Sequence, residues 1–106
     1  MKQVYELHAE VCKTLANPKR LEIINLLRKG ELSVAELLRK TGLLKANLSQ
    51  HLALMRSQGI VKARKAGLAV YYQIANPKIV KACDLMREVL FEQMKERGKV
   101  LGKWSR

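Results

Sequence analysis

The stretch "GLLKANLSQHLALMRSQGI", residues 42–60, carries Lys45, Asn47, Ser49, Gln50, His51 and Arg56 and no carboxylate. Amide and hydroxyl side chains can bond base edges, and Lys or Arg can hold phosphate, which a carboxylate would repel. Leu44, Leu48, Leu52 and Met55 recur every three or four positions between them, as a core-facing helical stripe does. An ordinary solvated helix instead mixes both charges and gains from Glu to Lys pairs one turn apart. Just downstream, "IVKARKAGLAVYYQI" adds Lys62, Arg64 and Lys65. If Lys45, Arg56, Lys62, Arg64 and Lys65 all meet phosphates, binding is strongly salt-dependent.

A second chemistry is sulfur. Cys12 and Cys83 lie far apart in the chain, each on or beside an apolar helical stripe. They read either as small buried hydrophobes or as a thiol pair that oxidises, bridges through sulfur or takes a soft metalloid. His8 precedes Cys12 by one helical turn, so His8, Cys12 and Cys83 would form a soft-metal site if the two helices pack together. A direct disulfide needs Cα atoms about 4.4–6.8 Å apart, within or between subunits. His51 reads as part of the nucleic-acid-facing helix and not as a metal ligand. No paired carboxylates, nucleophile with a base, or phosphate loop is present, so the expectation is a protein that is not an enzyme.

Composition agrees with a polyanionic partner. The 106 residues hold 21 Lys and Arg against 9 Asp and Glu, a net charge of +12. Between Glu36 and Asp84 there is no acidic residue, while Arg39, Lys40, Lys45, Arg56, Lys62, Arg64, Lys65, Lys78 and Lys81 all fall there. A basic centre flanked by charge-mixed ends marks a contact surface. The residues are 48% hydrophobic and only 5% aromatic, which suits one small helical domain. Charges interrupt the first fifteen residues, and no run approaches the ~18 apolar residues of a membrane span. Two cysteines make no disulfide framework, so a cytoplasmic protein with reduced thiols is expected.

These residues need elements to position them. Residues 4–15 read as a first helix with Leu7, Val11 and Leu15 on one face. "ANPKRLEIINLLRKG" starts a second, with Asn17 as cap, Pro18 in the first turn, Leu21, Ile23, Ile24 and Leu27 inward, and Gly30 at the exit. In "SVAELLRKTG", Ser33 and Glu36 form a capping box and Gly42 ends a short third helix. The carboxylate-free helix follows and stops at Gly59. The period then changes to that of two antiparallel strands, 60–63 and 69–74, turning at Gly67. A second "NPK", residues 76–78, opens a long last helix to about residue 97, with Ile79, Cys83, Met86, Leu90 and Met94 as its stripe. The tail "GKVLGKWSR" reads as frayed, with Trp104 able to dock.

Helix, helix, short helix, glycine, helix and β-hairpin is the order of a winged helix-turn-helix, whose second motif helix enters the major groove. The residues from Leu15 to Ile74 then match a known pattern: "LANPKRLEI", "SVAEL", "SQHL", and "GIV" before "VYY". In these motifs the chain resembles the ArsR/SmtB family of bacterial and archaeal transcriptional repressors over roughly residues 12–90. The resemblance implies a homodimer joined through first and last helices, bound to a palindromic operator in double-stranded DNA and released by a ligand or oxidant. It places DNA reading at Lys45, Asn47, Ser49, Gln50 and His51, with Arg64 and Lys65 in the wing. Two positions depart from the family: Leu44 stands where a capping residue is usual, and Leu68 where the wing often has a cation.

The family's metal sites are not reproduced. Its third-helix site resembles "ELCVCD", whereas this chain has "ELSVAE", with Ser33 and Ala35 in place of both thiols. Its last-helix site needs His, and none follows His51. The expectation is therefore a mainly α fold with a small β-hairpin: residues 1–16 and 76–97 for dimerisation, 17–75 for DNA binding and wing, and 98–106 a basic tail. No cofactor is required; a soft metal or metalloid at Cys12 and Cys83, with His8, is the one group these residues would take. The expected function is a dimeric repressor released from its operator by a thiol-directed signal (oxidant, reactive sulfur or soft metalloid) at Cys12 and Cys83. The alternative is a winged-helix DNA-binding or architectural protein with no small-molecule or redox sensor.

Overall fold

The computed structural model describes residues 1–98. Five helices and three strands follow in the order α1 (Lys2–Leu15), α2 (Pro18–Leu26), β1 (Leu32–Ser33), α3 (Val34–Thr41), α4 (Lys45–Ser57), β2 (Val61–Ala66), β3 (Ala69–Ile74) and α5 (Pro77–Glu96). Three of the helix starts have a local cause. The Asn17 side chain accepts from the backbone N–H groups of Lys19 and Arg20, and Asn76 does the same for Lys78. Pro77 and Pro18 sit in the first turns, where a missing N–H does no harm. Ser33 and Glu36 bond each other's backbone N–H, the reciprocal box that opens α3. Gly42 ends α3 in the left-handed region at φ +70°, a conformation that glycine adopts without strain.

Three features differ from the sequence reading, the first being that strand β2 spans Val61–Ala66 and not 60–63. Helix α2 stops at Leu26 and tightens into a 3-10 turn, Leu27–Lys29. The sheet has three strands, in the order β1-β3-β2, because two residues before α3 pair with the wing. Leu32 lies opposite Tyr72 and Ser33 opposite Tyr71. A two-residue strand has no alternation to read, so only the paired partner reveals it. The hairpin β2–β3 turns through Gly67 and Leu68, with φ +60° at Gly67, the place for glycine in a two-residue turn.

Nine side chains form the core: Ile23, Ile24, Leu27, Leu37, Leu48, Leu52, Met55, Ile60 and Val61. Tyr72, Ile74, Ile79 and Val80 pack against it, so the sheet and the start of α5 close one side of the helix-turn-helix. Arg28, from the 3-10 turn, reaches Asp84 of α5 at 2.5 Å, and Arg87 binds the same carboxylate. Several stripe residues named from periodicity lie outside the core. Leu7 is 64% exposed, Met86 61% and Leu90 48%, together with Val4, Tyr5, Leu85 and Val89. Their periodicity is helical, but no surface among the described residues covers them. Leu44 is 73% exposed because it stands at the N-cap of α4, before the helix turns its stripe inward. The expected docking of Trp104 and all of the tail beyond Gly98 lie outside the described residues.

Candidate nucleic-acid interface

Burial of Leu48, Leu52 and Met55 sets the roll of α4. Helical geometry puts Ala46, Gln50, Ala53 and Ser57 opposite them, on the outermost line, and all four are exposed. Three of these are small, so a groove floor could come close to the backbone with Gln50 as the one long side chain. Lys45 and Ser49 occupy the flank facing the wing. They line a groove with Ser33, Val34 and residues 68–72. Asn47 is exposed on the opposite flank, and Arg56 is exposed in the last turn.

His51 is placed differently. It is half-buried, and its Nδ1 accepts a hydrogen bond of 3.2 Å from Arg20 Nε. Burial, then the Arg20 charge, hold the imidazole below the usual histidine range. A neutral ring bonded inward is a fixed part of the motif, not a free basic side chain.

The wing cations are divided by the pleat. Successive side chains of a strand point to opposite faces. Val61 is in the core and Tyr72 and Ile74 pack on it; through the register Val61 to Ile74, Ala63 to Tyr72 and Lys65 to Val70, Lys65 shares their face. Lys62 and Arg64 take the other face, although all three are exposed. Arg64 is also occupied. Its Nη2 and Nε donate to the two Glu31 carboxylate oxygens at 2.5 and 3.2 Å, and its guanidinium lies 4.8 Å from the Tyr71 ring centroid. The Arg64 hydrogen bond lowers the Glu31 carboxyl below its ordinary range, against an opposing effect of burial. Glu31 was not legible as a partner of the wing. Glu31 lies 33 residues before Arg64 in the chain, and only strand β1 brings it alongside.

The absence of carboxylates noted along the chain is therefore true of α4 and the wing face of Lys65, while the back of the wing is locally neutralised. Helix α4 starts with no side-chain cap, since Leu44 offers no acceptor, and the free N–H groups of its first turn lie beside Lys45. Such an end carries partial positive charge and suits a phosphate.

The two thiols come to one place. Cys12 and Cys83 line a single groove with Leu15, Ala16, Leu21, Ala82, Met86, Arg87 and Leu90, between α1, α2 and α5. Cys12 is exposed and Cys83 buried. Burial pushes the Cys83 thiol up, and the Arg87 charge works in the opposite direction. His8 does not join them. It lies a turn nearer the N-terminal end of α1, whereas the groove takes its α1 wall from Cys12 onward. Among the described residues, no three of His, Cys, Asp and Glu are grouped to hold a metal ion. The three-ligand site suggested by spacing along α1 is thus not formed among the described residues.

Among the described residues, no helix is long and apolar enough to cross a membrane. Residues 17–63 match the model of the bacterial regulatory proteins of the arsR family. An uncharacterized HTH-type transcriptional regulator of Mycobacterium tuberculosis, Rv0081, is 43% identical over 99 residues, 92% of this chain and 87% of the relative. Its crystal structure aligns with a TM-score of 0.82 over 89% of this chain and 95% of that one. The transcriptional repressor PagR of Bacillus anthracis is 38% identical over 82 residues, 76% of this chain and 82% of the relative. The homodimeric winged helix-turn-helix DNA-binding domain of Mb0332 from Mycobacterium bovis is 33% identical, with a TM-score of 0.81 over 90% of this chain and 88% of that one. Similarity of this extent, on a fold whose helix order is that of the motif, is decisive: the chain belongs to the arsR family of bacterial regulatory proteins, DNA-binding transcription regulators built on a winged helix-turn-helix.

Proposed function

We propose that this protein is a homodimeric repressor that holds a palindromic operator through α4 and the wing, and that thiol chemistry at Cys12 and Cys83 releases it. The observation that carries DNA reading is the outer line of α4, with Gln50 standing between Ala46 and Ala53 and no carboxylate on the helix. Gln50, Asn47 and Ser49 read base edges. Lys45, Arg56 and Lys65 hold phosphate, Lys62 adds charge from the back of the wing, and Arg64 enters only by leaving Glu31. His51 serves from beneath, through Arg20. Dimerisation is supported by the exposed apolar rows of α1 and α5, and by the homodimeric relative. Two-fold symmetry would then set two recognition helices on successive half-sites.

The sensing step is supported by the shared groove. Cys12, the exposed thiol, attacks an organic disulfide as thiolate and expels one of its sulfurs as a thiolate. Cys83 then loses its proton, displaces the second and closes the Cys12–Cys83 bond, so the protein is oxidised and the disulfide reduced to two thiols. Because burial raises the Cys83 thiol, closure should be slow near neutral pH and faster in alkali. The test begins with a duplex selected from a random library by the reduced protein. Its affinity is then measured with reduced protein, with protein treated with disulfide, polysulfide or arsenite, and with Cys83→Ser. Release of the wild type but not of the variant supports the switch. An equal response of both refutes the Cys12–Cys83 switch, and no response of either leaves the sensorless DNA-binding protein as the correct reading.

A further inference from the structure

Arg20 joins three elements. Its backbone N–H is held by Asn17 Oδ1 at 3.1 Å, its Nη1 donates to the Thr14 carbonyl at 3.0 Å, and its Nε donates to His51 Nδ1 at 3.2 Å. Each end is anchored. Thr14 is only 4% exposed, in the last turn of α1, and its hydroxyl donates to the Glu10 carbonyl. His51 lies on α4 between Leu48 and Leu52, which are in the core. One guanidinium therefore spans from the end of α1, the helix with the exposed apolar row, to the middle of the recognition helix.

We propose that Arg20 is a positioning residue that fixes the recognition helix relative to α1, and that protonation of His51 undoes this tie and weakens operator binding. The inference rests on the reading that α4 contacts DNA. A planar guanidinium with fixed donors can satisfy two acceptors in divergent directions, which a lysine ammonium on a flexible stem does not reproduce. As an acceptor at Nδ1, the neutral ring carries its proton on Nε2. Once protonated, the ring has two N–H donors, so Nδ1 faces the Arg20 Nε–H with no lone pair and like charges meet.

The charged groups at this junction are Arg20 on α2 and, lining the same groove, Glu10 and Lys13 of α1, with Thr14, Leu54 and Gln58. Burial and Arg20 place His51 below the ordinary value of 6.5. The tie is therefore complete above that value and is lost as pH falls through the lower folded-state value. Exposed His8, on α1, is the other histidine, and a His8→Gln background removes its contribution.

The sign separates this proposal from a simple contact. If His51 only faced DNA, acidification would add positive charge and strengthen binding. The tie requires weakening, by roughly threefold to tenfold, the size of one or two hydrogen bonds. The experiment measures affinity for the selected duplex from about pH 8 to about pH 5, for the His8→Gln protein alone and with Arg20→Lys or His51→Asn. His51→Asn, which can present Oδ1 near the place of Nδ1, should lose the pH dependence. Arg20→Lys, with charge kept, should bind threefold to tenfold more weakly in alkali and show no acid loss. In the free protein, ring ¹⁵N resonances should show His51 protonated on Nε2 above its midpoint. Arg20→Lys should move that midpoint. Binding that strengthens in acid, an unchanged acid loss in Arg20→Lys, or a proton on Nδ1 in the neutral ring overturns the proposal. If Gln50→Ala and Lys45→Ala leave DNA binding untouched, it is the DNA reading of α4 that fails, and the resonances still decide the tie.

Discussion

The division of the wing cations leads to a quantitative expectation for salt dependence. Each phosphate neutralised on duplex DNA adds about 0.9 to the slope of log K against log salt. Lys65 shares the face of Val61 and Tyr72 and has no ion-pair partner among the described residues, while Arg64 is held by both oxygens of Glu31. Lys65→Ala should therefore flatten the slope by about 0.9 per subunit, or about 1.8 for a dimer. Between about 50 and 200 mM salt, a change of 1.8 corresponds to about 12-fold in relative affinity, and 0.9 to about 3.5-fold. Arg64→Ala should change the slope little, because moving the guanidinium to a phosphate leaves Glu31 to recruit a cation in its place. Removing that competitor reverses the result. In a Glu31→Gln background, Arg64 is available to phosphate, the slope steepens, and Arg64→Ala then flattens it as Lys65→Ala does. Glu22→Gln controls for the charge change, since Glu22 pairs with Lys19 on α2 and not with a wing residue. Fluorescence anisotropy with a duplex of arbitrary sequence suffices, because non-specific binding is almost wholly electrostatic. An Arg64→Ala slope as flat as that of Lys65→Ala in the unmodified background would refute the reasoning, as would a Glu31→Gln protein indistinguishable from Glu22→Gln.

Other expectations concern α4. Leu44→Ser supplies the missing cap oxygen at a residue already in extended conformation, φ −68° and ψ 146°, and removes a side chain that is 73% exposed. It should stabilise the protein by about 1 kcal/mol, read as a rise in denaturant midpoint at fixed protein concentration; no rise would mean that the first-turn N–H groups are already satisfied. Gln50→Ala should change sequence preference in a repeat of the duplex selection, whereas Lys45→Ala should weaken all duplexes alike and flatten the salt slope. Uniform loss across sequences for Gln50→Ala would remove it from the base-reading set.

Much of the architecture was legible because its determinants are local. Asn17 and Asn76 beside proline, Ser33 with Glu36, and Gly42 after the third helix each act within one turn, and the helices begin and end at or near them. The buried stripe of α4 was readable in Leu48, Leu52 and Met55 because those positions meet neighbours from this chain. It misled at Leu44, where the same spacing continues one turn too far, into the cap. Strand β1 and the 3-10 turn carry no periodic signature, and the wing strand runs to Ala66 because pairing with Ala69 extends it past the β-branched residues.

Taken alone, the order of residues determined that this chain makes a basic winged helix-turn-helix whose fourth helix presents amides, hydroxyls and cations, since caps, glycines and apolar spacing act over a few residues. Tertiary structure decided which of those side chains remain available. Glu31 reached Arg64, and Arg20 reached His51, across 33 and 31 residues of chain. Packing brought Cys12 and Cys83 to one groove whose lining does not include His8. Such pairings depend on how the elements roll and dock, a consequence of burying the nine-residue core as a whole. Sequence spacing encodes the face of each helix, and only packing against the others sets what that face meets.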